Sequence, residues 1–266
     1  MLGKLLKYEF KATGRTFLPM FGMLLVMSLV TKFFYSRDVS NFEVPQVISM
    51  MVFIFIIAAI AVMTLVITIQ RFNKNLLTDE GYLSFTLPVK AHTHIDAKMI
   101  VAFVWTVLSV LVSMIAILIL MNKELSTADF SDLFGLPQKI IAEIGGHFYL
   151  IIAEAVLLVI VAVLGSITEI YAAVTLGNMS SKHKLLAGVG SYIGFGIVQQ
   201  IVASVLANAF MPQMEEFWSR ATRTSAVNAA QGAEVVLLVL ILYSAVFGVA
   251  FYFLTDWMLR KKLNLE

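Results

Sequence analysis

Apolar residues along this chain are grouped into six long runs, separated by shorter polar segments. Each run reaches the roughly 18 to 20 residues that a helix needs to cross the hydrocarbon of a bilayer. The runs cover residues 16–35, 47–69, 98–121, 148–176, 185–210 and 235–259. The pattern therefore predicts an all-α membrane protein with six transmembrane helices in a single transmembrane domain over residues 1–266.

The five prolines agree with these boundaries. Pro45, Pro88, Pro137 and Pro212 fall between the apolar runs, and Pro19 lies near the start of the first run. Proline has no backbone N–H and disrupts a helix interior, but it is tolerated in the first turn. We therefore expect four prolines in connections and one in the first turns of its helix.

Composition narrows the possible functions. The chain is 60% hydrophobic and 14% charged, against roughly 45–50% and 25% for an average soluble domain. A formal net charge of +2 gives no general basic field, so nucleic acid is not an expected partner. The absence of cysteine excludes disulfides, thiolate catalysis and cysteine-based metal sites.

Basic residues alternate between the two sides of the predicted helices. Cytoplasmic loops carry an excess of Lys and Arg. Six of the 19 fall on one side: Lys32, Arg37, Lys123, Lys139, Arg220 and Arg223. The others fall on the opposite side: Lys4, Lys7, Lys11, Arg15, Arg71, Lys74, Lys90, Lys98, Lys182, Lys184, Arg260, Lys261 and Lys262. The richer side is expected to be cytoplasmic, with both termini there.

The segment before the first run has the pattern of an amphipathic helix. Its basic residues are Lys4, Lys7, Lys11 and Arg15, and the opposite face of the wheel carries Leu2, Leu5, Leu6 and Phe10. This predicts an interfacial helix over 1–15 in the inner headgroup layer, anchored against anionic lipid. Because Glu9 lies within the apolar face, we expect it to pair with a basic group nearby or on another subunit.

The connection over 70–97 also carries a predicted helix. Thr78 or Asp79 can cap it and Pro88 ends it. The helix would present Tyr82, Leu83, Phe85 and Leu87, more apolar surface than a loop normally leaves in water. It either docks on a cytoplasmic partner or folds back on the helix bundle.

Two further connections lie on the outer side. Residues 122–147 carry several acidic side chains, and residues 211–234 are polar but contain Phe217 and Trp218. The second connection is therefore either a free loop or a set of short interfacial helices. Neither is expected to form a folded domain.

A few polar residues fall inside the predicted spans. Glu154 and Glu169 lie in the fourth span, and Gln199 and Gln200 lie in the fifth. Such residues line a translocation path or the helix interior, or they lie near a membrane surface or make interhelical hydrogen bonds. In the fifth span, Gly190 and Gly194 have a small-xxx-small spacing, which serves close packing inside one bundle or dimerisation.

Three segments carry a resemblance to a known family. They are LLKYEFK at 5–11, TDEGYLSFTLPV at 78–89 and LGNMSSKHK at 176–184. Together with the six-helix pattern, they resemble the permease subunits of bacterial ABC-2 type ABC transporters. The resemblance implies a bacterial cell-membrane protein, a permease domain over 1–266 and a short cytoplasmic coupling helix after the second span.

The resemblance also implies partners. Two permeases, identical or paralogous, pack with two ATPase subunits in that family. The residues that would touch the ATPase are Asp79, Glu80, Tyr82, Leu83, Phe85 and Leu87, with a second contact at Lys182, His183 and Lys184. No phosphate-binding loop of the form Gly-x-x-x-x-Gly-Lys-[Ser/Thr] occurs in the chain. ATP and Mg²⁺ are therefore expected on the partner ATPase, with no cofactor on this chain.

Other functions stay open at this point. A stand-alone secondary transporter or channel needs broken, densely polar spans, and these spans are mostly continuous. A non-transporting membrane scaffold or sensor fits the same pattern. An intramembrane enzyme is disfavoured, because the Glu-Glu-x-x-x-Arg pattern at 215–220 has no later histidine and His92 and His94 have no evident third ligand. The substrate is not predicted, although short external connections favour export of an apolar molecule.

Overall fold

The computed structural model describes residues 2–36, 43–77, 91–121, 127–180, 182–224 and 226–261. These residues form seven α-helices and no strand. The helices are α1 (Leu2–Tyr35), α2 (Glu43–Leu76), α3 (Ala91–Met121), α4 (Thr127–Ile144), α5 (His147–Asn178), α6 (Lys184–Thr224) and α7 (Ala226–Lys261).

The predicted all-α membrane fold is confirmed. Six helices in the described ranges, all except α4, are long and apolar enough to cross a membrane. Each predicted span lies inside one of these helices. Most helices also extend beyond the predicted span, because a helix continues into the headgroup region where polar residues are solvated.

The helices group into two compact units, Met1–Phe130 and Ser131–Glu266. The first unit contains α1 to α3. Its core is aromatic: the rings of Phe17 and Trp105 stack with centroids 4.6 Å apart, and Phe21 packs against the same indole. Trp105 Nε1 donates a hydrogen bond to Thr13 Oγ1 over 2.7 Å, which satisfies the one polar atom of the buried indole.

Hydrogen bonds fix the direction of each helix in this unit. At one end of α1, Thr31 Oγ1 donates to the Ser49 carbonyl over 3.2 Å. Further along α2, the hydroxyls of Thr64 and Ser109 lie 3.2 Å apart. Together with the contact between Thr13 and Trp105, these pairs show that α1 and α3 run parallel, and α2 runs antiparallel to both.

The second unit contains most of α4 together with α5 to α7, and α5 approaches both α6 and α7 through glycine. A Cβ added at Gly177 would lie only 2.7 Å from the Cα of Gly188, so the backbones of α5 and α6 nearly touch. A Cβ at Gly248 would lie 3.2 Å from the Cα of Gly165, so α7 also approaches α5 closely, although less closely than α6 does. Small residues permit this kind of packing between membrane helices.

Helix α4 is absent from the sequence-based prediction, which treated 122–147 as a connection. It spans Thr127–Ile144 and is followed by Gly145, whose φ of 61° is a backbone conformation that glycine adopts at little cost. The Gly145 N–H donates to the Ile141 carbonyl over 2.8 Å and closes the last turn. This short turn leads directly into α5.

Two predicted segments also need correction. The amphipathic segment 1–15 is not a separate interfacial helix, because α1 is continuous from Leu2 to Tyr35. The polar segment 211–234 is not a loop, because α6 continues to Thr224 and α7 begins at Ala226. It is helical, as one alternative allowed, but it extends two spanning helices instead of forming separate short ones.

The expected positions of the prolines are also wrong in part. Pro137 lies inside α4, α6 continues through Pro212, and Pro19 lies well inside α1. Pro45 lies in the first turn of α2, where the missing N–H has no helical acceptor. A single lost hydrogen bond does not end a helix whose other residues favour it. Pro88 lies outside the described residues.

Candidate functional site

Polar residues from the three spanning helices of the second unit, α5, α6 and α7, meet within the membrane-spanning region. The Gln199 side-chain amide on α6 donates a hydrogen bond to the Glu169 carboxylate on α5. Tyr243 on α7 donates from its hydroxyl to the Gln199 backbone carbonyl over 2.8 Å. We call Glu169, Gln199 and Tyr243 the polar cluster.

The acidic group of the polar cluster, the Glu169 carboxyl, makes no ion pair with a basic side chain of the described residues. A carboxylate in hydrocarbon is costly unless it is hydrogen-bonded, paired or hydrated. Gln199 supplies a hydrogen bond, and the remaining acceptor positions of Glu169 are available to water, a proton or a bound group.

The structure separates the two glutamines that the sequence placed together. Gln199 is half-buried and contacts Glu169, whereas Gln200 is exposed on another side of α6. Consecutive residues on an α-helix differ by about 100° in direction, which explains the separation. Of these two, only Gln199 belongs to the polar cluster.

Glu154 is distinct from the polar cluster. Its carboxyl is half-buried, and Oε2 makes no hydrogen bond within the described residues. Fifteen residues of helix separate it from Glu169, or about 22 Å along the axis. The two carboxylates therefore cannot act on one atom.

At the N-terminus the structure supplies the partner that Glu9 was expected to have. Lys98 Nζ on α3 lies 2.7 Å from Glu9 Oε1, and the two side chains are only 6% and 15% exposed. Oppositely charged groups removed from water are stable when they are directly paired. The expected pairing of Glu9 with a basic group is confirmed, within the same chain.

The basic face of the N-terminal segment is also present. Lys4, Lys7, Lys11 and Arg15 are all exposed along one side of α1. The intervening Leu5, Leu6 and Phe10 are half-buried. The first four turns of α1 are therefore amphipathic, as expected, although they continue directly into the spanning part of the helix.

Most of the predicted docking residues lie outside the described part of the chain: Asp79, Glu80, Tyr82, Leu83, Phe85 and Leu87. Lys182, His183 and Lys184 are described, and all three are exposed at the turn between α5 and α6. The backbone approach of Gly177 to Gly188 holds the two helices together at this turn.

The described residues on either side of the segment 78–90 are buried. Phe72, Leu76 and Leu77 at the end of α2 are 0%, 1% and 6% exposed. At the start of α3, Ile95 is 1% exposed and Lys98 makes the ion pair with Glu9. The end of α2 and the start of α3 are thus fixed by packing, which hydropathy alone did not indicate.

One further contact between distant polar side chains was not predicted. His147 Nδ1 at the start of α5 lies 2.8 Å from Glu234 Oε1 near the start of α7. It joins the two parallel helices at one end of the second unit. Its two members are 87 residues apart, so no local pattern in the sequence connects them.

Three comparisons with known proteins were made. No protein-family model matches the chain, and no curated protein or solved structure matches it either.

Proposed function

We propose that this chain is the permease subunit of an ABC-2 type ABC exporter in a bacterial cell membrane, with both termini in the cytoplasm. It forms the translocation path with a second permease, identical or paralogous. The loop 70–97 receives a separate cytoplasmic ATPase, which binds ATP and Mg²⁺. In this proposal the chain moves substrate by changing conformation and catalyses no covalent step.

The fixed ends of the loop at 70–97 are the observation that carries the proposal. A loop transmits force to a helix bundle only if its ends are rigidly attached to that bundle. Leu76 and Ile95 are almost fully buried, and Lys98 connects the start of α3 to Glu9 on α1. A push on this loop would therefore act on all three helices of the first unit together.

Two other features support the proposal. The sequence contains no phosphate-binding loop, so the proposal assigns ATP binding to a separate subunit. The polar cluster around Glu169 gives the second unit a hydrophilic position at membrane depth, where a path for substrate would need one. ATP-driven closure of the ATPases would shift the bundle between two states.

The docking assignment is testable by co-purification. Leu83→Asp and Phe85→Asp place a charge on the predicted apolar contact, so each should reduce recovery of the co-expressed neighbouring ATPase at least tenfold. Val89→Asp, in the same loop beyond Pro88, is the matched control and should retain the ATPase. Membrane yield and elution profile verify that every variant is folded.

Unchanged ATPase recovery in both Leu83→Asp and Phe85→Asp would refute docking through this loop. An equal loss in Val89→Asp would also refute the specific contact, because a general disturbance of the loop would explain it. ATP hydrolysis in liposomes then separates a transporter from a scaffold, since only a transporter is expected to show substrate-stimulated hydrolysis.

A further inference from the structure

Aromatic rings continue from the polar cluster along the contact between α6 and α7. The ring centroids of Tyr243 and Phe247 lie 5.0 Å apart, and those of Phe247 and Phe251 lie 6.0 Å apart. Phe195 on α6 completes the series, with its centroid 4.8 Å from that of Phe251. We call Tyr243, Phe247, Phe251 and Phe195 the aromatic row. One end of the row is attached to the polar cluster by the hydrogen bond from Tyr243 to the Gln199 carbonyl.

The aromatic row lies at the depth of the Glu169 carboxylate. Thr168, the residue before Glu169, donates from Oγ1 to the Gly248 carbonyl over 3.2 Å. Phe247 is the residue before Gly248, and α5 and α7 are parallel, so Glu169 and Phe247 lie within about one helical turn of the same level. Both side chains are only half-buried, which leaves part of each open to an incoming molecule.

This combination suits a positive charge carried by an apolar group. Glu169 makes no ion pair with a basic side chain of the described residues, and a carboxylate away from bulk water attracts a cation strongly. The faces of aromatic rings also attract cations, and their carbon atoms pack against apolar substituents. Hard metal ions instead require several oxygen ligands, and the described residues contain no group of acidic and histidine side chains that could hold one.

We propose that Glu169 and the aromatic row bind hydrophobic organic monocations, such as quaternary ammonium compounds, and that these are the substrates of the transporter. The carboxylate pairs with the charge, and the ring faces contact the apolar substituents. A quaternary centre donates no hydrogen bond, so charge and aromatic contact are sufficient to recognise it. The binding site is a property of this chain alone, whereas its role in transport rests on the permease function proposed above.

The depth of Glu169 agrees with uptake from the cytoplasmic half of the bilayer. The predicted span 148–176 has its middle at Ala162, so Glu169 lies about 10 Å from the middle, towards the turn between α5 and α6. That turn is cytoplasmic in the proposed orientation. The anionic lipids of the cytoplasmic leaflet attract cations to its surface. An acidic group at this depth can receive a hydrophobic cation directly from that leaflet.

Binding of tetraphenylphosphonium, a hydrophobic monocation, tests the site without any ATPase. Equilibrium dialysis against the purified chain in lipid nanodiscs should show saturable binding. Tetraphenylborate is the matched control ligand, because it has nearly the same size and shape but carries a negative charge, and it should show no saturable binding. Equal binding of the two ions would overturn the inference, since the surface would then be merely apolar. Absence of saturable tetraphenylphosphonium binding would overturn it as well.

Glu169→Gln is the decisive variant, because it removes the charge and keeps the size of the side chain. It should weaken tetraphenylphosphonium binding roughly tenfold or more, whereas Glu169→Asp should keep part of the affinity. Glu154→Gln makes the same change about 22 Å away on the same helix and should leave the affinity unaltered. An unaltered affinity in Glu169→Gln, or an equal loss in Glu154→Gln, would refute the assignment of Glu169.

Phe247→Leu tests the aromatic contribution. The change removes the ring but keeps an apolar side chain, so it should weaken binding roughly threefold. Phe253→Leu is the matched control, because that ring is 64% exposed on another side of α7. Equal affinities for the two variants would refute a role for the aromatic row.

Recovery of the ATPase, measured on the same variants, separates this inference from the proposed function. A chain that retains the ATPase but binds no tetraphenylphosphonium would refute only the substrate class. A chain that binds the cation through Glu169 but recovers no ATPase would refute only the permease function. In the assembled complex, tetraphenylphosphonium should stimulate ATP hydrolysis with the unaltered chain and not with Glu169→Gln.

Discussion

The helices inside each of the two units are held together by a different kind of contact. In the first unit, side chains fill the space between helices: Trp105 stacks on Phe17, and Lys98 pairs with Glu9. In the second unit, backbones approach at Gly177 and Gly248, and hydrogen bonds such as that from Tyr243 to the Gln199 carbonyl join the helices. Packing in the first unit depends on large and charged side chains, whereas close packing in the second unit depends on glycines, which have no side chain.

The units also differ in how much surface they leave uncovered. The most apolar stretch of α1 is 28% buried within the chain, whereas no residue is buried in that of α6. Helices that meet through glycine bury little side-chain surface, so most of their outer faces remain available to lipid or to other subunits. We therefore expect the first unit to be the more rigid of the two, and the second unit to make more contacts with lipid or with other subunits.

Lys98→Met should have the largest effect on stability. It leaves the Glu9 carboxylate largely removed from water without its partner, a change that typically costs roughly 3–5 kcal/mol. Denaturation in mixed detergent micelles would measure the loss. The exposed Lys11→Met is the matched control, with an expected effect below about 0.5 kcal/mol.

A double variant sharpens this prediction. Glu9→Gln combined with Lys98→Met removes both charges, so it should recover much of the stability that Lys98→Met loses. If the double variant were no more stable than the single one, the ion pair would not be the cause of the loss.

Gly177→Ala should have the next largest effect, because its methyl group would meet the backbone of α6. Overpacking of this kind costs about 1–3 kcal/mol. Gly190→Ala adds the same methyl group where nothing lies within 4 Å, so it should be neutral or stabilise the helix by up to ~1 kcal/mol. Equal melting temperatures for the two variants would contradict the proposed role of close backbone approach.

Tyr243→Phe should have the smallest effect. It removes the hydrogen bond to the Gln199 carbonyl while keeping the ring in place, and such bonds average about 0.6 kcal/mol in membranes. Tyr192→Phe is the control, because that side chain is exposed. A loss above about 2 kcal/mol for Tyr243→Phe would show that the polar cluster is a major stabilising element and not a local contact.

Hydropathy was sufficient to predict the six spans, because the bilayer demands long apolar helices wherever the chain crosses it. The same signal missed α4 and the end of α6, which are helical without being uniformly apolar. Proline misled the prediction at Pro137 and Pro212, since the sequence does not reveal whether the surrounding residues can keep a helix intact around one missing hydrogen bond.

Contacts between distant residues were only partly predictable. The composition of the N-terminal face required a partner for Glu9, but nothing local indicates Lys98, which lies 89 residues away. Glu169 and Gln199 were recognised as polar residues in spans, whereas Tyr243 was missed because a tyrosine is common in apolar segments. The spacing of Gly190 and Gly194 is the same whether a neighbour is present or not, so it could not identify Gly177 and Gly188 as the closest approach.

The contacts of α1 limit how the first unit can move. Glu9 is fixed to α3 near one end of the helix, and Thr31 is fixed to α2 near the other, about 33 Å away along the axis. Sliding α1 lengthwise like a piston would break both attachments at once. A tilt of the three helices as one rigid group keeps both attachments, and a force applied to the segment that follows α2 would produce it.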